Sequence, residues 1–121
     1  MFQFLSQALL SGIFIKGGAD AFLQPGARVN KVASAGLPNP QLAVELNGAA
    51  MVAGGAMLAL DIAPKLAAAG LIASMVPTTI VGHAFWKETD PAARSMHQIQ
   101  FLKNLGLIGG LLLVLSHPRE E

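Results

Sequence analysis

Cysteine and tyrosine are absent from this 121-residue chain, and charged residues make up only 12% of it. Without cysteine there can be no disulfide, no thiol redox chemistry and no zinc or iron–sulfur site with cysteine ligands. The net charge of +1 lacks the clustered lysine and arginine that displace counterions from nucleic acid, so no nucleic-acid partner is expected. The hydrophobic share of 53% excludes a disordered chain.

Four long apolar stretches dominate what is present. Alanine, leucine, glycine and methionine fill them without the alternation of a strand, which favours helices. Each stretch is close to the ~20 residues that cross a bilayer as a helix. The sequence therefore predicts an all-α fold, a four-helix transmembrane bundle that forms one domain over residues 1–121. The predicted helices cover about residues 3–23, 42–60, 64–85 and 98–115.

The connecting segments carry turn and capping signals. Residues 24–41 form a proline-containing loop in which residues 27–35 are expected to make a short interfacial helix. Pro64 suits the first turn of the third helix. Asp90 can cap a helix whose first residue is Pro91.

Two other interpretations are weaker. A soluble bundle would show a polar stripe on every helix, yet residues 49–60 and 105–115 carry no charge. A cleavable signal peptide would have basic residues before its apolar run, whereas Lys16 lies inside the run.

Counting basic residues in the loops, four against two, places the first and third loops in the cytoplasm. The four are Arg28, Lys31, Lys87 and Arg94, and the two are Lys65 and Arg119.

Most ionisable side chains inside the predicted spans, together with Asn47 and Asn104, fall toward the ends that meet at the first and third loops. Charged groups in a bilayer are costly and are usually retained for a function. These candidate ligand-binding or quinone-binding residues are Lys16, Asp20, Glu45, Asn47, His83, Lys103 and Asn104.

The sequence leaves two readings of this polar set open. Lys16 and Asp20 share a helix face, and Glu45 with Lys103 can form a second pair of opposite sign, so the set can be purely structural. Alternatively, it can bind a small ligand such as a quinone and exchange protons with it. No metal site is predicted, since a lone His83 is more often an interfacial side chain than a ligand.

Small residues indicate where helices can approach each other. Gly106 and Gly110 form a G-x-x-x-G motif in the fourth helix, and Ala50 with Gly54 and Gly70 with Ser74 repeat the spacing.

Four segments together resemble the DoxX family of small bacterial membrane proteins. They are Gly17-Gly18, residues 44–50 (VELNGAA), residues 83–86 (HAFW) and residues 100–111 (QFLKNLGLIGGL). The resemblance implies a four-span bundle in the cytoplasmic membrane. The family takes its name from a subunit of a thiosulfate:quinone oxidoreductase, and relatives in a wider clan are cargo receptors or receptor chaperones.

The resulting functional hypothesis is an accessory subunit of a membrane oxidoreductase system. No covalently bound cofactor is expected, a quinone is the candidate ligand, and any sulfur chemistry would belong to a partner subunit. The alternative is a non-catalytic scaffold, assembly factor or structural subunit of a larger membrane complex. The expected partners are the lipid bilayer, other membrane subunits and further copies of the chain, and the sequence leaves open whether the chain is itself an enzyme. A transporter is disfavoured because the polar residues are too few to line a path.

Overall fold

The computed structural model describes residues 2–24 and 26–116, and within these ranges the regular structure is entirely helical. Four long helices and one short helix follow each other, with a single turn of 3₁₀ helix before the last. The elements are α1 (Phe2–Leu23), α2 (Gly26–Ser34), α3 (Pro40–Ala59), α4 (Pro64–Gly82), the 3₁₀ turn (Phe85–Lys87) and α5 (Pro91–Ser116).

Proline marks the first residue of three of the long helices. Pro40, Pro64 and Pro91 each occupy a position where the missing N–H is not needed. Asp90 caps α5, because its Oδ2 accepts the backbone N–H of Ala93 at 3.0 Å. The last long helix therefore begins at Pro91, seven residues before the predicted Gln98, and α4 ends at Gly82 rather than at Phe85.

The long helices pack in chain order. α1 packs most closely on α3, α3 on α4, and α4 on α5, whereas α1 and α5 touch only briefly. The core shared by these helices is built on Phe14, Leu58, Leu71, Met75 and Leu111. The bundle is thus a row of antiparallel neighbours with an open groove between α1 and α5.

The closest helix contact lies between α1 and α3. A Cβ atom added to Gly48 would lie 2.6 Å from the carbonyl oxygen of Gly18, and one added to Gly55 would lie 2.9 Å from a side-chain carbon of Ile15. The predicted approach at Gly106 and Gly110 is looser. A Cβ added to Gly106 would meet nothing within 4 Å, and one added to Gly110 would lie at an ordinary 3.5 Å from a side-chain carbon of Leu10.

Three helical segments of the described chain are long and apolar enough to cross a membrane: Pro40–Ala59, Pro64–Lys87 and Pro91–Ser116. α1 has 22 residues but contains Lys16, Asp20 and several hydroxyl and amide side chains, and it is not among the three. The prediction of membrane-spanning helices is thus confirmed for three of the four long helices.

Candidate functional site

One end of the bundle gathers the elements that carry the predicted polar residues. The C-termini of α1 and α4 and the N-termini of α3 and α5 meet there, with α2 packed on α3 and α4 and the 3₁₀ turn packed on α5. We call this the loop end. All seven predicted site residues lie in the half of the molecule that contains it, but they do not form one cluster.

The two asparagines link neighbouring helices. Asn47 on α3 accepts a hydrogen bond from Ser74 Oγ at 2.6 Å and donates to Thr78 Oγ1 at 3.0 Å, both on α4. Asn104 on α5 is buried and donates to Thr79 Oγ1 at 3.0 Å. These amides are engaged within the protein, and their immediate effect is to tie α3, α4 and α5 together.

The charged residues of α1 and α3 pair locally. Lys16 Nζ lies 2.9 Å from both carboxylate oxygens of Asp20, one helical turn later, and the lysine side chain is 78% exposed. Glu45 accepts a hydrogen bond from Gln41, also one turn away. In the described ranges no salt bridge joins Glu45 to Lys103, so the expected pairing of these two across the bundle is not formed.

His83 contributes to a second polar group, whose other members were not among the predicted site residues. Its Nδ1 lies 3.3 Å from Nδ1 of His97, and Nε2 of His97 lies 3.6 Å from Oε1 of Glu88. We call Glu88, His97 and His83 the histidine chain. Lys31 from α2 and Lys103 from α5 lie close enough to act electrostatically on His83.

Three aromatic rings pack edge to face beside the histidine chain. Phe85 and Trp86 of the 3₁₀ turn and Phe101 of α5 have ring centroids 5.3 to 5.8 Å apart. This geometry is favourable for aromatic pairs. Trp86 remains about half exposed, as an aromatic side chain at a membrane interface does.

His97 and Glu88 were missed because the predicted fourth helix began after them. A signal for His97 exists in the spacing of α5: His97, Asn104 and Leu111 are seven residues apart and therefore share a helix face. The last two are buried in the structure, and the side chain of His97 is only 12% exposed. Glu88 precedes the helix and carries no comparable signal.

The described residues show no arrangement of three or more histidine, cysteine, aspartate or glutamate side chains that could hold a metal ion. They also contain no buried side-chain nitrogen or oxygen without a hydrogen-bond partner. The buried polar side chains of the loop end therefore have hydrogen-bond partners within the protein, and the remaining polar groups face the surface.

Comparison with known proteins places the chain in a family. The model of the DoxX family matches residues 4–84, which is more than half of the chain. This chain belongs to the DoxX family. The DoxX match covers α1 to α4 and ends before the 3₁₀ turn, so the QFLKNLGLIGGL segment of α5 lies outside it.

A search of curated proteins and a search of solved structures each found no match. DoxX membership and the three apolar helices together identify a multi-pass membrane protein. Large apolar side chains that these three helices leave exposed, among them Leu66, Ile99 and Leu113, are the surface available to lipid.

Proposed function

We propose that this DoxX protein is an accessory subunit of an oxidoreductase system in the cytoplasmic membrane and binds a quinone at the loop end. The observation that carries the proposal is the position of His83: Lys103 acts on it electrostatically, and its carbonyl oxygen accepts the backbone N–H of Phe85, one of the three packed aromatic rings. A quinone has a polar head that accepts hydrogen bonds and an apolar tail that requires lipid or apolar helices. The loop end supplies donors for the head and the helix surfaces supply contacts for the tail.

Lys103 is the donor best suited to the quinone head. Its side chain is exposed, and among the described residues it has no carboxylate partner. An ammonium group that is not paired can donate to a carbonyl oxygen without first breaking an ion pair. By contrast, Asn47, Asn104, Lys16 and Asp20 are engaged within the chain, so they support the site and do not contact the ligand.

Intrinsic fluorescence gives a direct binding test, because Trp86 is the only tryptophan of the chain and tyrosine is absent. The protein in lipid nanodiscs is titrated with a short-chain benzoquinone, which quenches tryptophan at short range. We expect saturable quenching. Replacing Lys103 with Met should weaken the apparent affinity about tenfold, since a hydrogen bond to a charged donor is worth ~1.5 kcal/mol or more.

The matched control is Lys65→Met, which removes a lysine at the start of α4, the opposite end of the bundle. It should leave the quenching curve unchanged. Quenching that rises without saturation, and equally in both variants, would mean that the quinone only partitions into lipid, and would overturn the proposed site.

The proposal includes α1 as a fourth membrane span. At ~1.5 Å per residue its 22 residues reach about 33 Å, enough for the ~30 Å hydrocarbon core. The Lys16–Asp20 pair lowers the cost of placing both charges near the membrane, and the buried Gln7 donates to the carbonyl oxygen of Leu58 at 2.9 Å. These contacts reduce the free-energy cost of placing the polar residues of α1 in the membrane, the same residues that lower its hydropathy.

A non-catalytic scaffold is the second candidate function, and one observation favours it. Gly106 and Gly109 lie on an exposed part of α5 where an added Cβ would meet nothing. Small residues on an uncovered membrane helix are typical of helix association. Purification in mild detergent of the wild type and of Gly106→Leu tests this function: a partner that co-purifies in fixed ratio with the wild type but not with the variant would support it.

A further inference from the structure

We infer that Glu88, His97 and His83 form a proton relay between water and the group bound at the loop end. The identity of that bound group, a hydroquinone hydroxyl, rests on the function proposed above. The relay itself follows from the geometry of the three side chains.

The three side chains differ in their access to water. Glu88 follows the 3₁₀ turn and its side chain is 34% exposed, whereas the side chain of His97 is only 12% exposed. His83, at the end of α4, is the third member. A proton that His83 takes from the ligand therefore passes through a nearly buried ring to a carboxylate that water reaches.

The hydrogen bonds define the tautomers. A contact between two Nδ1 atoms needs a proton on one ring and a lone pair on the other. A carboxylate beside Nε2 of His97 favours a proton on that nitrogen, which leaves Nδ1 of His97 as the acceptor. His83 then carries its proton on Nδ1 and presents the lone pair of Nε2 to a ligand.

Each transfer breaks one bond to hydrogen and forms another. The ligand O–H gives its proton to Nε2 of His83, while Nδ1–H of His83 passes its proton to Nδ1 of His97. Nε2–H of His97 then protonates the Glu88 carboxylate, which releases the proton to water. The 3.6 Å separation of His97 Nε2 and Glu88 Oε1 exceeds a direct hydrogen bond, so this last transfer requires a rotation of the partly exposed Glu88 side chain.

Other polar contacts at the loop end cannot replace this path. The bonds between helices there join amides and hydroxyls, such as Asn47 with Ser74 and Asn104 with Thr79, which do not titrate. The Lys16–Asp20 pair lies on an exposed face of α1. The charged groups that face His83 are Lys31 on α2 and Lys103 on α5, together with His97 itself.

Nitrogen-15 NMR of histidine-labelled protein in nanodiscs tests the relay without any quinone. When both rings are neutral, we expect Nδ1–H for His83 and Nε2–H for His97, the two tautomers that the hydrogen-bonded chain requires. In Glu88→Gln, the preference of His97 for Nε2–H should fall about tenfold, and the preference of His83 for Nδ1–H should fall with it although Glu88 does not contact His83.

Glu45→Gln is the matched control, since it removes a carboxylate of the loop end that bonds only Gln41 among the described residues. It should leave both histidine spectra unchanged. Other tautomers of the two rings in the wild type, or spectra that are the same in Glu88→Gln and the wild type, would overturn the relay.

The quenching titration separates this inference from the proposed function. Glu88→Gln should retain saturable quenching by benzoquinone, because Glu88 moves the proton and does not hold the ligand. If no quinone binds but the coupled tautomers are present, the quinone site fails and the relay stands. If quinone binds and the tautomers are absent, the relay fails and the site stands.

Discussion

Glycine residues set the distance between α1 and α3. Gly18 and Gly48 face each other so closely that a Cβ on either would lie 2.6 Å from the carbonyl oxygen of the other. Backbone atoms cannot move aside as a flexible side chain can, so the two helices would have to separate. These residues control the packing of the first long helix, the one whose hydropathy does not by itself place it in a membrane.

Replacing Gly48 with Ala should therefore destabilise the protein by about 1–3 kcal/mol, the usual cost of overpacking. Unfolding in SDS followed by circular dichroism measures the change. Gly70→Ala on α4 is the control, since nothing lies within 4 Å of its added Cβ. Equal midpoints for the two variants would show that the close approach of α1 and α3 does not limit stability.

The bond between Asn104 and Thr79 is a second residue-scale contribution to stability. Both side chains are buried and they face each other between α4 and α5. A double-mutant cycle with Asn104→Ala and Thr79→Ala should give a coupling energy of about 0.6–1.7 kcal/mol, the range for such bonds in membrane helices. A coupling near zero would assign the cost of each variant to lost packing alone.

Helix starts are the clearest feature at the scale of elements. Three long helices begin with proline, and α5 adds a side-chain cap from Asp90. Because α5 begins at Pro91, the residues before Gln98, including His97, are part of a regular helix. The position of the histidine chain thus depends on where α5 begins.

Loss of this cap should be visible locally. Asp90→Ala should cost about 1 kcal/mol and increase amide hydrogen exchange in the first turn of α5, while the rest of the helix stays protected. Thr89→Ala, one residue earlier, is the control and should leave exchange unchanged. Unaltered protection in Asp90→Ala would mean that packing alone holds the helix start.

At the scale of the whole molecule, the helix order predicts a membrane topology. The antiparallel row puts the α2 segment and the turn before α5 on one side, and the turn between α3 and α4 on the other. With α1 as a fourth span, the N-terminus joins the second side. The excess of basic residues at the loop end favours the cytoplasm for the first side.

The natural absence of cysteine makes this topology testable with single cysteines. In intact cells, a membrane-impermeant maleimide should label Ile62→Cys and Gln3→Cys, whereas Ser34→Cys and Thr89→Cys should react only after the cells are opened. If Gln3→Cys reacted only after the cells were opened, as Ser34→Cys and Thr89→Cys should, α1 would not span the membrane. If all four variants showed the reverse pattern, the orientation in the membrane would be opposite to the one predicted.

The sequence alone determined the helical class, the apolar segments and the resemblance to the DoxX family, because hydropathy and helix signals are local properties of the chain. It also indicated the turn at Pro64 and the cap at Asp90, since a cap needs only neighbouring residues. The tertiary structure decided which polar residues meet. Asn47 bonds Ser74 and Thr78 of α4, Glu45 stays apart from Lys103, and His97 reaches His83, because such contacts depend on how helices rotate and approach each other across the bundle.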